Sequence, residues 1–266
     1  MTKIKELIHH LDSQFPPSLQ ESYDNSGFLV GHPDDDILGV LIALDVTTEV
    51  VQEAIAKHLN VIVSHHPLIF SGVKRITPAN ETGRLLLSIL EHRIAVYAAH
   101  TNLDNLPQGV NGILCHKLGL HPIRILRPSN PTTPDVGAGI LASLPQPMPQ
   151  SAFLQHVKHV LQLPFLRLSN PLSLLPEPSI QRVALCGGSG AFLIDDAKRA
   201  GAQIFLTADL KYHDFQHAEG DLLLADIGHY ESEQFAKELF YSAISKKFRN
   251  FACQISEQNR SFVHFM

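Results

Sequence analysis

The chain has 266 residues, 44% of them hydrophobic, with 21 Lys and Arg against 26 Asp and Glu and a formal net charge of −5. That is enough apolar material for one large or two small domains, and the absence of cationic bias argues against broad, charge-driven nucleic-acid binding without excluding a nucleotide as substrate. Three widely spaced cysteines, Cys115, Cys186 and Cys253, argue against a disulfide framework or a Cys-based zinc site and fit a reducing cytoplasm.

At the N-terminus, Ile4, Leu7, Ile8 and Leu11 mark one face of a helix rather than the apolar core of a signal peptide. The longest apolar run, residues 37–44, is too short to span a membrane and reads as a buried strand. Asp45, Val46, Thr47, Thr48 and Glu49 then supply capping residues and an acidic first turn for a helix through about His58. Residues 61–63 form the next predicted strand, ending at Ser64-His65-His66-Pro67. Residues 81–92 read as helix and 94–98 as strand, which runs into Ala99-His100-Thr101-Asn102-Leu103-Asp104, and a helix follows from about Gly109 to Leu118. This β-α-β-α alternation predicts an α/β fold, a sheet with helices on both faces.

The middle of the chain is different. Residues 127–149 contain Pro128, Pro131, Pro134, Pro145, Pro147 and Pro149, and residues 164–178 contain Pro164, Pro171, Pro176 and Pro178. Proline removes donors and breaks helices, so these stretches are expected to be connecting or edge segments around a helix at 150–162. The α/β rhythm then resumes: strand 182–186, helix 191–200, strands 204–206 and 222–225, and a helix beginning near 230 whose core stripe is Phe235, Leu239 and Ile244. Two α/β lobes are expected: residues 1–126 with 225–266, carrying most of the candidate ligands, and residues 127–224 with the proline-rich connections.

Three motifs lie where strands end, which is where open α/β proteins gather functional groups. Side chains of adjacent residues in extended chain point to opposite sides, and Pro67 biases His66 towards extended backbone, so His65 and His66 suit two ions better than one. Taken alone, the dipeptide also reads as a turn with one buried and one exposed histidine. His229 and Glu233, four residues apart, share a face if a helix begins near 230, although such a pair is more often a surface pair. Asp104 adds an anionic oxygen, or else serves as a helix N-terminal residue. Three nitrogens and two carboxylates suit Fe, Mn, Co, Ni or Zn better than Ca or Mg. Five protein ligands suit two divalent ions with a bridging carboxylate and open water positions, the arrangement that activates water near neutral pH. The Cys186-Gly187-Gly188-Ser189-Gly190 run is either an anion cradle between strand and helix or a tight turn. Lys211 and His213 are placed to neutralise a phosphate or move a proton, or are solvated turn residues. With Thr101 and Gly188 they are the substrate-binding candidates.

Six segments carry a family resemblance: residues 17–31 around Tyr23-Asp24-Asn25-Ser26-Gly27, residues 64–70, residues 99–104, residues 186–190, residues 207–214 (Thr-Ala-Asp-Leu-Lys-Tyr-His-Asp) and residues 228–233. In this order, across nearly the whole chain, they resemble the Nif-three-like family, whose members are often named GTP cyclohydrolase 1 type 2 homologues. Ala191 and Ala208 stand where glycine is usual in the family, and residues 127–180 are too few and too proline-rich for the domain that longer members insert, so the chain resembles the short form. The resemblance implies a dinuclear centre held by His65, His66, Asp104, His229 and Glu233 with Glu233 as the bridge, in the cleft between two α/β lobes of a toroidal homohexamer. The expected activity is metal-dependent hydrolysis of a nucleotide-like or phosphorylated substrate. The alternative is a ring-shaped binding, regulatory or metal-handling protein with a protein partner.

Overall fold

A computed structural model describes residues 1–169 and 177–264. Its helices are α1 (Ile4–Gln14), α2 (Thr48–Ala56), α3 (Glu81–Glu91), α4 (Thr101–Asp104), α5 (Val110–Lys117), α6 (Gln150–Leu161), α7 (Ile194–Arg199), α8 (Tyr212–Ala218), α9 (His229–Glu233) and α10 (Ala236–Lys247). The strands are β1 (Gly27–Val30), β2 (Gly39–Ala43), β3 (Val61–Ser64), β4 (Ala95–Ala98), β5 (His121–Asn130), β6 (Thr133–Pro149), β7 (Arg167–Leu168), β8 (Ser179–Ser189), β9 (Ile204–Ala208), β10 (Leu223–Asp226) and β11 (Ala252–Ile255). The fold is mixed α/β with two sheets, and the chain divides into two compact units, Met1–Leu103 with Ala236–Arg260 and Asp104–Phe235 with Ser261–Met266. Among the described residues no helix is long and apolar enough to cross a membrane.

In the first unit the sheet order is β1-β4-β3-β2-β11, with β2, β3, β4 and β11 parallel and β1 antiparallel on the β4 edge. Strands β2, β3 and β4 are buried along their whole length, which is why they read as continuous apolar runs rather than alternating ones. Thr47 caps α2 by accepting from Val50 N–H, and Asn80 caps α3 by accepting from Gly83 N–H; each satisfies an otherwise orphaned donor of a first turn. Val50, Val51, Leu85 and Ile89 from these helices pack on Leu41, Ile62 and Val96 of the sheet. Elsewhere in the unit Phe240 of α10 is fully buried with its ring edge-on to Phe15, centroids 5.5 Å apart.

The second unit has the order β5-β6-β8-β9-β10-β7, with β8, β9 and β10 parallel. The alternation along β8 and β9 divides its core in two. Val183, Leu185, Ile204 and Leu206 pack with Leu114, Phe153 and Val157 of α5 and α6, whereas Ala184, Cys186 and Phe205 pack with Ile194, Ala197 and Ala218 of α7 and α8. Helices therefore cover both faces, as the α/β pattern predicts.

Four expectations change. The proline-rich stretch 127–149 is an edge segment, as one of the two readings has it, only as far as Asn130 in β5; the rest forms the hairpin turn and β6, which runs between β5 and β8 inside the sheet. Four of its six prolines sit where a missing donor costs least. Pro128 is on the edge strand, Pro131 is in the turn, and Pro145 and Pro147 fall in the irregularity between Ser143 and Met148. Second, the lobe boundaries move to 103/104 and 235/236, because α5 shares the β6–β8 core and β10 pairs with β9, drawing residues 104–126 and 225–235 into the second unit. That unit, not the first, carries Asp104, His229 and Glu233. Third, the helix expected from 230 is two helices, α9 and α10. The buried stripe of α10 is Ala236, Phe240 and Ile244, while Phe235 and Leu239 are half-buried. Fourth, the strand predicted at 182–186 extends over the whole of β8. Pro171 and Pro176 lie outside the described residues.

Candidate metal centre

In the first unit, β3 and β4 end side by side, with Ser64 paired to Ala98. The chain continues from β3 into His65 and His66, whose N–H groups donate to Ala43 and Leu44 carbonyls, and from β4 into Ala99 and His100. The His65 and His66 rings do not diverge, because both residues have left the strand, which ends at Ser64. Their centroids are 5.0 Å apart, and one nitrogen of each, with one of His100, lies within 4.8 Å of the other two.

Every one of these rings is held through Nδ1. His65 Nδ1 lies 2.8 Å from Ala99 O, His66 Nδ1 2.7 Å from Asp45 Oδ1, and His100 Nδ1 2.8 Å from Asp24 Oδ1. An Nδ1–H donated to an oxygen fixes the tautomer and leaves the lone pair on Nε2, as in metal-binding histidines. Asp24 has no exposed side-chain surface. Burial alone would raise its pKa, but bonds from His100, Thr101 and the Asn25 N–H outweigh that and hold it well below the usual carboxylate range.

In the second unit, His229 opens α9 and Glu233 closes it, with His229 Nε2 3.0 Å from Glu233 Oε2. Nδ1 of the same ring lies 2.7 Å from Asp209 Oδ2. Asp209 adopts φ +57, a left-handed conformation that a non-glycine residue keeps only when its surroundings demand it. Burial works against a charge on His229, but Glu233 and Asp209 outweigh it and raise its pKa to about 9. Asn111 joins the remaining acid to this group, donating from Nδ2 to the Asp104 carbonyl and accepting from Gly187 N–H. Asp104 and Glu233 both act on the buried Cys186 thiol, whose pKa is raised first by burial and then by these two carboxylates.

Several site expectations are corrected. Asp104 closes the short helix α4 rather than opening one. Thr101 turns its hydroxyl to Asp24 Oδ2 at 2.5 Å and accepts from Glu21 N–H, so it holds Asp24 rather than a substrate. The Gly187 and Gly188 N–H groups are already donated to Asn111 Oδ1 and Ser232 Oγ, so they do not form an anion cradle. Gly188 matters for a different reason. At φ +60, a Cβ there would lie 2.1 Å from Glu233 Oε1, so only glycine admits that carboxylate. Lys211 and His213 are exposed; the Lys211 N–H is donated to Asp214 at the start of α8, and His213 Nδ1 lies 3.2 Å from Gln216 Oε1. From the same 207–214 motif it is Asp209 that reaches His229.

His100, Asp24, Asp45 and Asp209 were not among the candidates. His100 and Asp24 lie inside motifs already singled out, but nothing in the local spacing reveals that residues 76 positions apart share a hydrogen bond.

The sequence profile of the family described as Duf34/NIF3 (NGG1p interacting factor 3) matches residues 2–261. A Clostridium acetobutylicum protein named GTP cyclohydrolase 1 type 2 homolog is 31% identical over 232 residues, covering 87% of this chain and 85% of its own. A Staphylococcus aureus protein of the same name is 28% identical over 349 aligned positions, covering 92% of this chain and 94% of its own. That alignment is longer than this entire chain, so the relative carries inserted residues with no counterpart here. A solved structure of a Bacillus cereus protein related to NIF3 shares the fold with a TM-score of 0.90, at 24% identity and with coverage of 100% and 99% of the two chains.

Proposed function

Because the chain belongs to the Duf34/NIF3 family, we propose that His65, His66, Asp104, His229 and Glu233 hold two divalent ions, with Glu233 as the bridge, in a metal-dependent hydrolase of a nucleotide-like or phosphorylated substrate. The observation that carries this reading is the anchoring of the three ligand histidines. His65, His66 and His229 each give Nδ1 to an oxygen, so each presents Nε2.

When bound, such ions supply Lewis acidity, which polarises a substrate oxygen and makes water reactive near neutral pH. The donor set suits Fe, Mn, Co, Ni or Zn. The protein's own residues do the rest. Asp45, Asp209 and the Ala99 carbonyl orient the rings, and Gly188 leaves room for the Glu233 carboxylate. His100, fixed by Asp24 beside the His65–His66 pair, offers a nitrogen to hold or pass a proton. The name borne by the relatives makes GTP the first substrate to test, with opening of its imidazole ring or attack at phosphorus as the reactions to look for. The same resemblance leads us to propose a homohexamer, which light scattering of the purified protein checks, and the three free cysteines fit a cytoplasmic setting.

Glu233→Ala should remove metal and turnover together while leaving the fold intact. Nucleotides and phosphoesters screened with anaerobically metallated protein should give a metal-dependent product. Retained activity in a metal-free preparation overturns the hydrolase reading, and absence of product from every compound favours a ring-shaped binding or regulatory protein.

A further inference from the structure

Within the first unit a broad groove of about 810 Å³ follows directly on the His pair, lined by Leu68, Phe70, Val73, Lys74, Arg75 and Asn80 among others. Its volume is that of a small-molecule site. No acidic residue lines it, and among the described residues neither Lys74 nor Arg75 has an ion-pair or hydrogen-bond partner, although the chain as a whole is acidic. Lys3, Lys5, Lys57, Arg93 and Arg260 all pair with carboxylates.

The groove has an aromatic wall as well. Phe70 is 49% exposed, which leaves much of a phenyl ring open to a flat ligand beside two cations. The same ring stands edge-on to His100, centroids 6.0 Å apart, so Phe70 belongs at once to the groove and to the histidine cluster. The far wall is tied down. Arg84 donates to the Pro78 carbonyl, Asn80 caps α3, and Gly83 lies so close to Thr77 that a Cβ would meet its carbonyl oxygen at 1.9 Å.

We propose that this groove binds a nucleoside phosphate, with the base stacked on Phe70 and the phosphates paired with Lys74 and Arg75. Adjacent unpaired cations recognise clustered anionic oxygens, and a half-exposed phenyl ring recognises any base through its π face, so the combination selects a ligand that carries both. Only the statement that this ligand is the substrate rests on the hydrolase reading. The groove itself needs no metal.

The experiment uses the full chain stripped of metal, titrated calorimetrically at low salt with GTP, guanosine and inorganic tripolyphosphate. The wild type should bind GTP. Lys74→Ala with Arg75→Ala should weaken GTP and tripolyphosphate by about tenfold for each cation removed. Phe70→Ala should weaken GTP by about tenfold while leaving tripolyphosphate unchanged. Lys246→Ala with Lys247→Ala, which removes the same charge from the exposed end of α10, should change nothing. The proposal is overturned if the wild type binds neither GTP nor tripolyphosphate, if Lys74→Ala with Arg75→Ala binds like the wild type, or if the α10 pair has an equal effect. Metallated protein separates the two readings. Turnover whose KM ignores Lys74 and Arg75 overturns the groove and leaves the hydrolase, whereas groove binding without product from any nucleotide supports the groove and overturns the hydrolase.

Discussion

His229 Nε2 lies 3.0 Å from Glu233 Oε2, so the ring nitrogen offered to a metal is the one now sharing a proton with a carboxylate. In the metal-free protein that proton is held strongly, since the pKa of His229 is raised from 6.5 to about 9. A metal at Nε2 must displace it.

Metal uptake should therefore release about one proton from His229 near neutral pH, and apparent affinity should rise by about tenfold per pH unit until about pH 9. Calorimetric titration in buffers of different ionisation enthalpy counts the proton. The sign for stability is opposite. Because the folded pKa is raised, the pair stabilises the metal-free protein fully below pH 6.5 and loses that contribution as pH rises through about 9. Glu233→Gln should flatten both dependences.

Asp209 orients His229 at the cost of a left-handed backbone. Asp209→Gly deletes the anchor and relieves the backbone, so metal affinity should fall by about 10- to 100-fold. The melting temperature of the metal-free protein should fall only modestly, because the relieved backbone offsets part of the lost His229 contact and the added chain entropy of glycine. Metal content after gel filtration and a thermal melt read the two effects separately.

Gly188→Ala places a methyl group 2.1 Å from Glu233 Oε1 at φ +60. The backbone change alone should cost about 1–2 kcal/mol, visible in denaturant unfolding. The displaced carboxylate should also lower metal occupancy, whereas Gly220→Ala, at φ +86 with open space around it, should cost stability without touching occupancy.

Asp24 links His100, Thr101 and Asn25 through a side chain with no exposed surface. Asp24→Asn should destabilise the protein by about 1–3 kcal/mol at neutral pH. Because the folded pKa is depressed below 3.8, the carboxylate contributes fully above that value and loses its advantage as pH falls below it. The two melting curves should converge in acid.

Local pattern already contained much of this protein. The buried runs of β2, β3, β4 and β9, the cap of α2 and the helical spacing of His229 and Glu233 follow from short continuous apolar runs, from the 3.6-residue period and from the chemistry of first turns. The β5–β6 hairpin was illegible, because prolines that deny a strand its donors are tolerated on an edge or at an irregularity, and edge positions exist only once strand order is known. The break between α9 and α10 was hidden for a similar reason: Phe235 and Leu239 fit a helical stripe in sequence, but Ala236, Phe240 and Ile244 face the core.

The sequence by itself determined the α/β class, the strand-end motifs and the donor types that suit a transition metal, since these depend on neighbours along the chain. Only the tertiary structure decided that His100 joins His65 and His66, that Asp24, Asp45 and Asp209 orient the rings, and that Gly188 makes room for a carboxylate rather than cradling an anion. Those relations connect residues 20 to 76 positions apart. Sheet order and register set them, and no local period encodes either.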